Sequence, residues 1–313
     1  MQTISLGGVE LTRVVEWHAP IAPTSAVFPT STRQMWQENA SWLVPDFWDP
    51  RTDELVVNAQ TWVLRSEGRT VLVDTGLGND KERPAMPVWS HLRTGFLDRL
   101  AAAGVRPEDV DVVVNTHLHA DHVGWNTRLV DGEWVPTFPN AVYLIAKADF
   151  DYWNPANGHV QKGRMGELTV AQAVGGMFAD SVAPVHRAGQ AVLWEDSYRI
   201  DGSLSLEPAP GHTPGSAVLR LVSGTDRALF IGDLVHSPLQ IAEPDCDTCL
   251  SEDQEQAIRS RRRILAEAAD TGALVFPGHL PGHGGAEVRR EGGRFALARW
   301  APFARTQDGP VPV

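Results

Sequence analysis

Residues Asn115 to Trp125 read N-T-H-L-H-A-D-H-V-G-W, with three histidines and an aspartate inside six positions. They follow the apolar run 110–114, which reads as a buried strand. Side chains two apart on extended backbone share a face, so His117 and His119 project together and can grip one ion. Asp121 and His122 come after Ala120, where the apolar alternation stops, and a chain turning there aims them at a second point nearby. Neutral imidazole and carboxylate donors suit zinc, with iron, manganese and cobalt also compatible. The absence of thiolates nearby argues against a closed structural zinc site.

Working outward, later segments repeat one arrangement: strand, glycine, metal-capable side chain. The strand expected at 203–208 leads into A-P-G-H-T-P-G-S with His212, that at 228–231 into Gly232 and Asp233, and that at 273–276 into P-G-H at His279. Singly, a histidine or aspartate after glycine is ordinary loop chemistry. The recurrence beside the first string makes these three candidate ligands. Upstream, V-L-V-D-T-G places Asp74 at a strand end, either as a turn aspartate or as an acceptor behind a metal-bound histidine.

Composition narrows the partners. The 313 residues are 42% hydrophobic, enough for a substantial core, and the formal charge of −12 offers no electrostatic grip on a phosphate backbone, so no nucleic-acid partner is expected. The basic run Arg259, Arg261, Arg262 and Arg263 reads as a solvated helix face. No basic-then-apolar leader opens the sequence and no apolar run approaches membrane-spanning length, which makes the expected location cytoplasmic, with no membrane partner. Cys246 and Cys249, in the acidic stretch D-C-D-T-C, read as incidental residues of an exposed loop, with a redox pair as the alternative.

The remaining pattern places an edge strand at 9–17, a hairpin at 55–65 and 70–74, and a helix at 91–103 capped by Ser90. A strand at 141–145 with a short helix at 146–153, a helix at 251–271 and a closing hairpin at 286–300 follow. Residues 18–51 read as a long loop, rich in large apolar groups, that is either a flap over the core or an apolar wall over a ligand pocket. The glycine-rich stretch 154–189, within an insertion at about 126–203, is a second candidate pocket lining. Candidate pocket residues are Met35, Trp36, Trp42, Trp125, Trp153 and Leu239, while His159 and His186 lack partners at ligand spacing.

With V-D-T-G at 73–76, T-H-L-H-A-D-H at 116–122, G-H-T-P-G at 211–215, I-G-D at 231–233 and P-G-H at 277–279, the sequence resembles the metallo-β-lactamase superfamily. The resemblance implies an α/β fold of four layers, an αβ/βα sandwich with two mixed sheets flanked by helices and metals at one edge, within one domain over 1–313. It further implies that His117, His119 and His212 hold one ion, that Asp121, His122 and His279 hold the other, and that Asp233 bridges them. A bridging hydroxide would then attack a lactone or carboxylic ester, with Asp121 passing a proton to the leaving group. Homoserine lactonases of the family carry a tyrosine three residues after the bridging aspartate; here that position is His236, an imidazole able to donate a similar hydrogen bond. This departure keeps aryl esters and phosphotriesters open as alternatives, ahead of a β-lactam or a non-catalytic metal-binding role. The expected partner is a small-molecule substrate, with a homodimer open.

Overall fold

The computed structural model describes residues 2–305, so the ends of the expected 1–313 domain lie outside the described residues. Two large sheets face one another. The first runs in the order Thr3–Leu6, Val9–Pro23, Glu54–Ser66, Arg69–Val73, Val112–Val114, Val142–Ala146 and Ala191–Trp194, with Trp48–Asp49 also paired to Glu54–Ser66. It is antiparallel as far as Arg69–Val73 and parallel beyond. The second runs Tyr198–Arg199, Leu204–Pro208, Ala217–Ser223, Asp226–Gly232, Leu274–Pro277, Ala286–Glu291 and Arg294–Trp300, with one parallel pair, Asp226–Gly232 beside Leu274–Pro277.

The layering follows from two-residue periodicity. Val71, Val73, Val112, Val114 and Leu144 of the first sheet meet Leu219, Leu221, Ala228, Phe230 and Phe276 of the second in the core between the sheets. The intervening residues turn outward: Leu72, Val113 and Tyr143 to a core with the helix Phe96–Ala102, and Val218, Leu229 and Val275 to a core with the helix Gln254–Thr271. Strands apolar on both faces are what a sheet covered on both sides requires. Trp62 anchors the middle, its ring 4.8 Å from Phe276 and 5.9 Å from Phe230.

Several expectations need correcting. The strand from Val9 continues to Pro23, and residues 9–12 lie under a further strand, Thr3–Leu6, instead of at an edge. Residues 24–43 carry three short helices where a loop was expected, and Phe28, Trp36, Leu43, Phe47 and Trp48 are fully buried, because large apolar groups drew the segment onto the core. The helix expected at 91–103 begins at Phe96; His91 takes a left-handed φ of 54° that breaks the path, and Ser90 Oγ accepts instead from Arg83 N at 3.0 Å. The helix expected at 251–271 begins at Gln254, capped by Asp253 through Gln256 N at 2.9 Å.

Arg261 is not on a solvated face. It is buried, paired with Asp247, and donates to Leu234 O and to Pro244 O. The loop carrying Cys246 and Asp247 is correspondingly buried instead of exposed. Among the described residues no helix is long and apolar enough to cross a membrane.

Candidate metal centre and its pocket

The strand ends gather at one edge of the sandwich. Val112–Val114 feeds the loop bearing His117 and His119, and Asp121 and His122 ride on the single-turn helix Ala120–Val123. Leu204–Pro208 leads to His212, Asp226–Gly232 to Asp233 and Leu274–Pro277 to His279. The glycines before Asp233 and His279 are steric requirements. A Cβ on Gly232, at φ +49°, would lie 2.6 Å from Thr116 Oγ1, and one on Gly278 would lie 2.8 Å from Asp233 Oδ1 and 2.9 Å from His122 Cε1. The loops approach too closely for any side chain there.

Seven donors fall into two groups, His117–His119–His212–Asp233 and Asp121–His122–His279, with the donor atoms of each group within 4.8 Å of one another. His212 Nε2 lies 3.0 Å from His119 Nδ1, and His122 Nε2 lies 3.1 Å from His279 Nε2. Asp233 touches both groups: Oδ2 is 3.4 Å from His212 Nε2 and 3.1 Å from His279 Nε2, and Oδ1 is 3.3 Å from His122 Nε2. His117 Nε2 and Asp233 Oδ1 are buried with no hydrogen-bond partner. Buried polar atoms are normally satisfied. Nitrogens of this kind, about 3 Å apart with lone pairs converging, match the spacing around a tetrahedral ion with bonds of about 2.0–2.1 Å. Each of the two groups could hold a metal ion.

Groups behind the donors fix their orientation. Asp74, at φ 58°, accepts from Thr116 N and Thr116 Oγ1, both at 2.8 Å, and its Oδ2 lies 2.8 Å from His122 Nδ1. His279 Nδ1 lies 2.7 Å from Asn58 O, which leaves Nε2 facing the cluster. The electrostatics divide the histidines. Burial, aided by neighbouring imidazoles, pushes His117 and His212 well below their ordinary range, and burial pushes His119 to about 4. Burial also opposes charge on His122 and His279, but the facing carboxylates, Asp233 foremost, win, holding His122 well above its ordinary value and His279 at about 8.

A cavity of about 240 Å³ opens onto this floor, and His119, Asp121, Asp233, His236 and His279 line its base. His236 is buried, with Nε2 3.1 Å from Asp233 Oδ2. The walls are apolar. Trp17, Leu55 and Val57 come from strands, Ile21, Ala26 and Val27 from the N-terminal segment, Met86 and Trp89 from loop 79–95, and Met165, Val170 and Val174 from the glycine-rich stretch. Both segments expected as pocket linings therefore contribute, through different residues from those expected. Trp36 and Leu239 are fully buried in the core outside the cavity, and Met35 and Trp42 pack on that core. Trp125 stacks on Phe96 at 5.4 Å and donates to Glu16 Oε1, and Trp153 stands edge-on behind His119 at 5.2 Å. His186 packs on Phe150 and His159 beside Tyr152, both apart from the cluster.

Residues 55–279 match the metallo-beta-lactamase superfamily. The chain belongs to that superfamily. N-acyl homoserine lactonase AttM of Rhizobium johnstonii is 28% identical over 196 residues, which cover 60% of this chain and 64% of that protein. The match thus spans less than two thirds of that relative's length. Metallo-beta-lactamase domain-containing protein 1 of Xenopus laevis is 34% identical over 218 residues, 68% of this chain and 66% of that protein. Among solved structures, AidC, a dizinc quorum-quenching lactonase, aligns with a TM-score of 0.75 at 22% identity, covering 98% of each chain. The hydrolase AbOPH aligns with a TM-score of 0.77 at 23% identity, covering 97% of this chain and 98% of its own. Both share the two-sheet superfamily fold.

Proposed function

We propose that the chain is a metal-dependent hydrolase that opens a lactone or cleaves a carboxylic ester. The observation that carries this reading is the pair of donor groups joined by Asp233 at the base of an apolar cavity. His117, His119, His212 and Asp233 would hold one divalent ion, and Asp121, His122, His279 and Asp233 the other, with zinc best suited to the donors and iron, manganese or cobalt as alternatives. Ions held there would polarise a substrate carbonyl and make water nucleophilic at neutral pH.

The chain's own groups do the rest. Asp121, part-exposed at the cavity base, is placed to carry a proton from the attacking water to the leaving alkoxide. His236 presents a ring N–H to the substrate oxygen, the task the resemblance gives to a tyrosine. Asp74 and the Asn58 carbonyl keep His122 and His279 in the orientation that leaves Nε2 free. The apolar walls exclude water and take up the substrate's hydrocarbon. Among the described residues no lysine or arginine lines the cavity, which favours an uncharged substrate, and AttM is named for hydrolysis of such a lactone. Trp17 and Trp89, with ring centroids 6.2 Å apart in the wall, support a second reading, an aryl ester or neutral phosphotriester.

The test is a hydrolysis panel of lactones, aryl esters, phosphotriesters and β-lactams with metal-loaded and metal-stripped protein. Turnover of the lactones by the loaded form alone is expected. Turnover confined to the aryl esters and phosphotriesters would favour the second reading, and none on any substrate would remove the hydrolase assignment.

A further inference from the structure

Asp149, in the first turn of the helix Lys147–Trp153, is completely buried, and among the described residues it makes no ion pair. An isolated carboxylate inside a protein is costly unless donors surround it. Three do: Leu118 N at 2.8 Å and Thr213 Oγ1 at 2.9 Å on Oδ2, and Gly215 N at 2.6 Å on Oδ1. The positions of these donors are the informative part. Leu118 lies between His117 and His119 on the loop that leaves the first sheet, and Thr213 follows His212 on the loop that leaves the second. A single carboxylate therefore ties together the two loops that bear the three histidines of one donor group.

The approach is close enough to shape the sequence: a Cβ on Gly215 would lie 2.5 Å from Asp149 N. The loops meet at the 3.0 Å contact between His119 Nδ1 and His212 Nε2. The other donor group is oriented by different residues, His122 by Asp74 and His279 by the Asn58 carbonyl, and neither of them bonds Asp149.

Building on the metal-centre reading above, we propose that Asp149 is a positioning residue that holds loops 117–119 and 212–215 at the separation one ion needs. It thereby sets metal affinity at the His117–His119–His212 group and not at the Asp121–His122–His279 group.

The test uses the full chain stripped of metal and titrated with zinc against a chromophoric chelator. Asp149→Asn, which keeps the shape but turns one acceptor into a donor facing backbone N–H groups, should weaken one of two zinc sites by about 10–100-fold, the range typical of groups behind metal ligands. The other site should keep its affinity within about threefold. Thr213→Val, which removes only one of the three hydrogen bonds, should weaken the same site in the same direction by less, and it carries the test if Asp149→Asn does not fold. Equal weakening of both sites, or lower thermal stability with zinc affinity unchanged, would overturn the proposal while leaving the metal centre intact. Failure of the unmutated chain to take up zinc would overturn the metal-centre reading and this proposal with it.

Discussion

The base and the wall of the cavity are built on opposite plans. The base is polar, formed by short loops at strand ends, and two of its donors are aimed by named partners: His122 by Asp74, His279 by the Asn58 carbonyl. The wall is apolar and collected from several separate stretches, with Met86 and Trp89 on irregular backbone and Val170 and Val174 on a single helix of five residues. Directional bonds place atoms to within tenths of an ångström, whereas apolar contacts fill volume without direction. The base is accordingly suited to chemistry and the wall to selection, and the two should respond differently to substitution.

The largest expected effect is at the base. Asp233→Ala removes the one carboxylate shared by both donor groups, and hydrolysis of every substrate should fall well beyond the roughly 10–100-fold loss typical of a change one layer behind a metal. Unaltered turnover, with the fold verified by circular dichroism, would remove Asp233 from the centre. Next is Asp74→Asn, which loosens His122 from behind. Zinc affinity in chelator competition should drop by about 10–100-fold, with all substrates affected alike.

The wall should behave otherwise. Each methylene added to a substrate's hydrocarbon arm should lower KM by about fourfold while the cavity fills, at about 0.8 kcal/mol per buried CH2. Val174→Trp should abolish that gain for long arms and leave kcat for the shortest substrate within about twofold. A uniform loss of kcat across the series would mean that wall and base are not separable.

The last effect is on pH dependence. His279, held at about 8 by the carboxylates around it, and His122, held well above its ordinary value, must each shed a proton to bind an ion, so zinc affinity should weaken by at least about tenfold per unit of pH below about 8. The sign reverses for the metal-free fold. A raised histidine pKa stabilises it fully below the unfolded value, and that contribution disappears as pH rises through about 8. Competition titrations at several pH values between 6 and 9 would expose a flat profile if the assignment is wrong.

The same division explains what the sequence could disclose. His117, His119, Asp121 and His122 are legible because metal ligation demands particular residue types at short spacing, and Gly232 and Gly278 because close loop approach admits nothing larger. The continuous apolar runs at 71–73 and 110–114 likewise announce buried strands. The wall is not legible in this way, since any large apolar group in the right place serves. Trp36 and Trp42 look as suitable as Trp17 and Trp89, and only tertiary packing sends the first pair to the core and its border and the second to the cavity. Leu55 and Val57 carried a usable signal, two apart on the strand Glu54–Ser66 that also bears Asn58. Asp149 carried none. An aspartate in the first turn of a short helix looks like a helix-dipole partner until the two loops it joins are seen in space.

The central claim is that the two donor groups act as one hydrolytic centre. Zinc titrated into the stripped chain while ester or lactone hydrolysis is followed tests it most directly. The account predicts no turnover without metal and full turnover at about two equivalents per chain; full turnover in the stripped protein, or saturation with no activity on any ester or lactone, would contradict it.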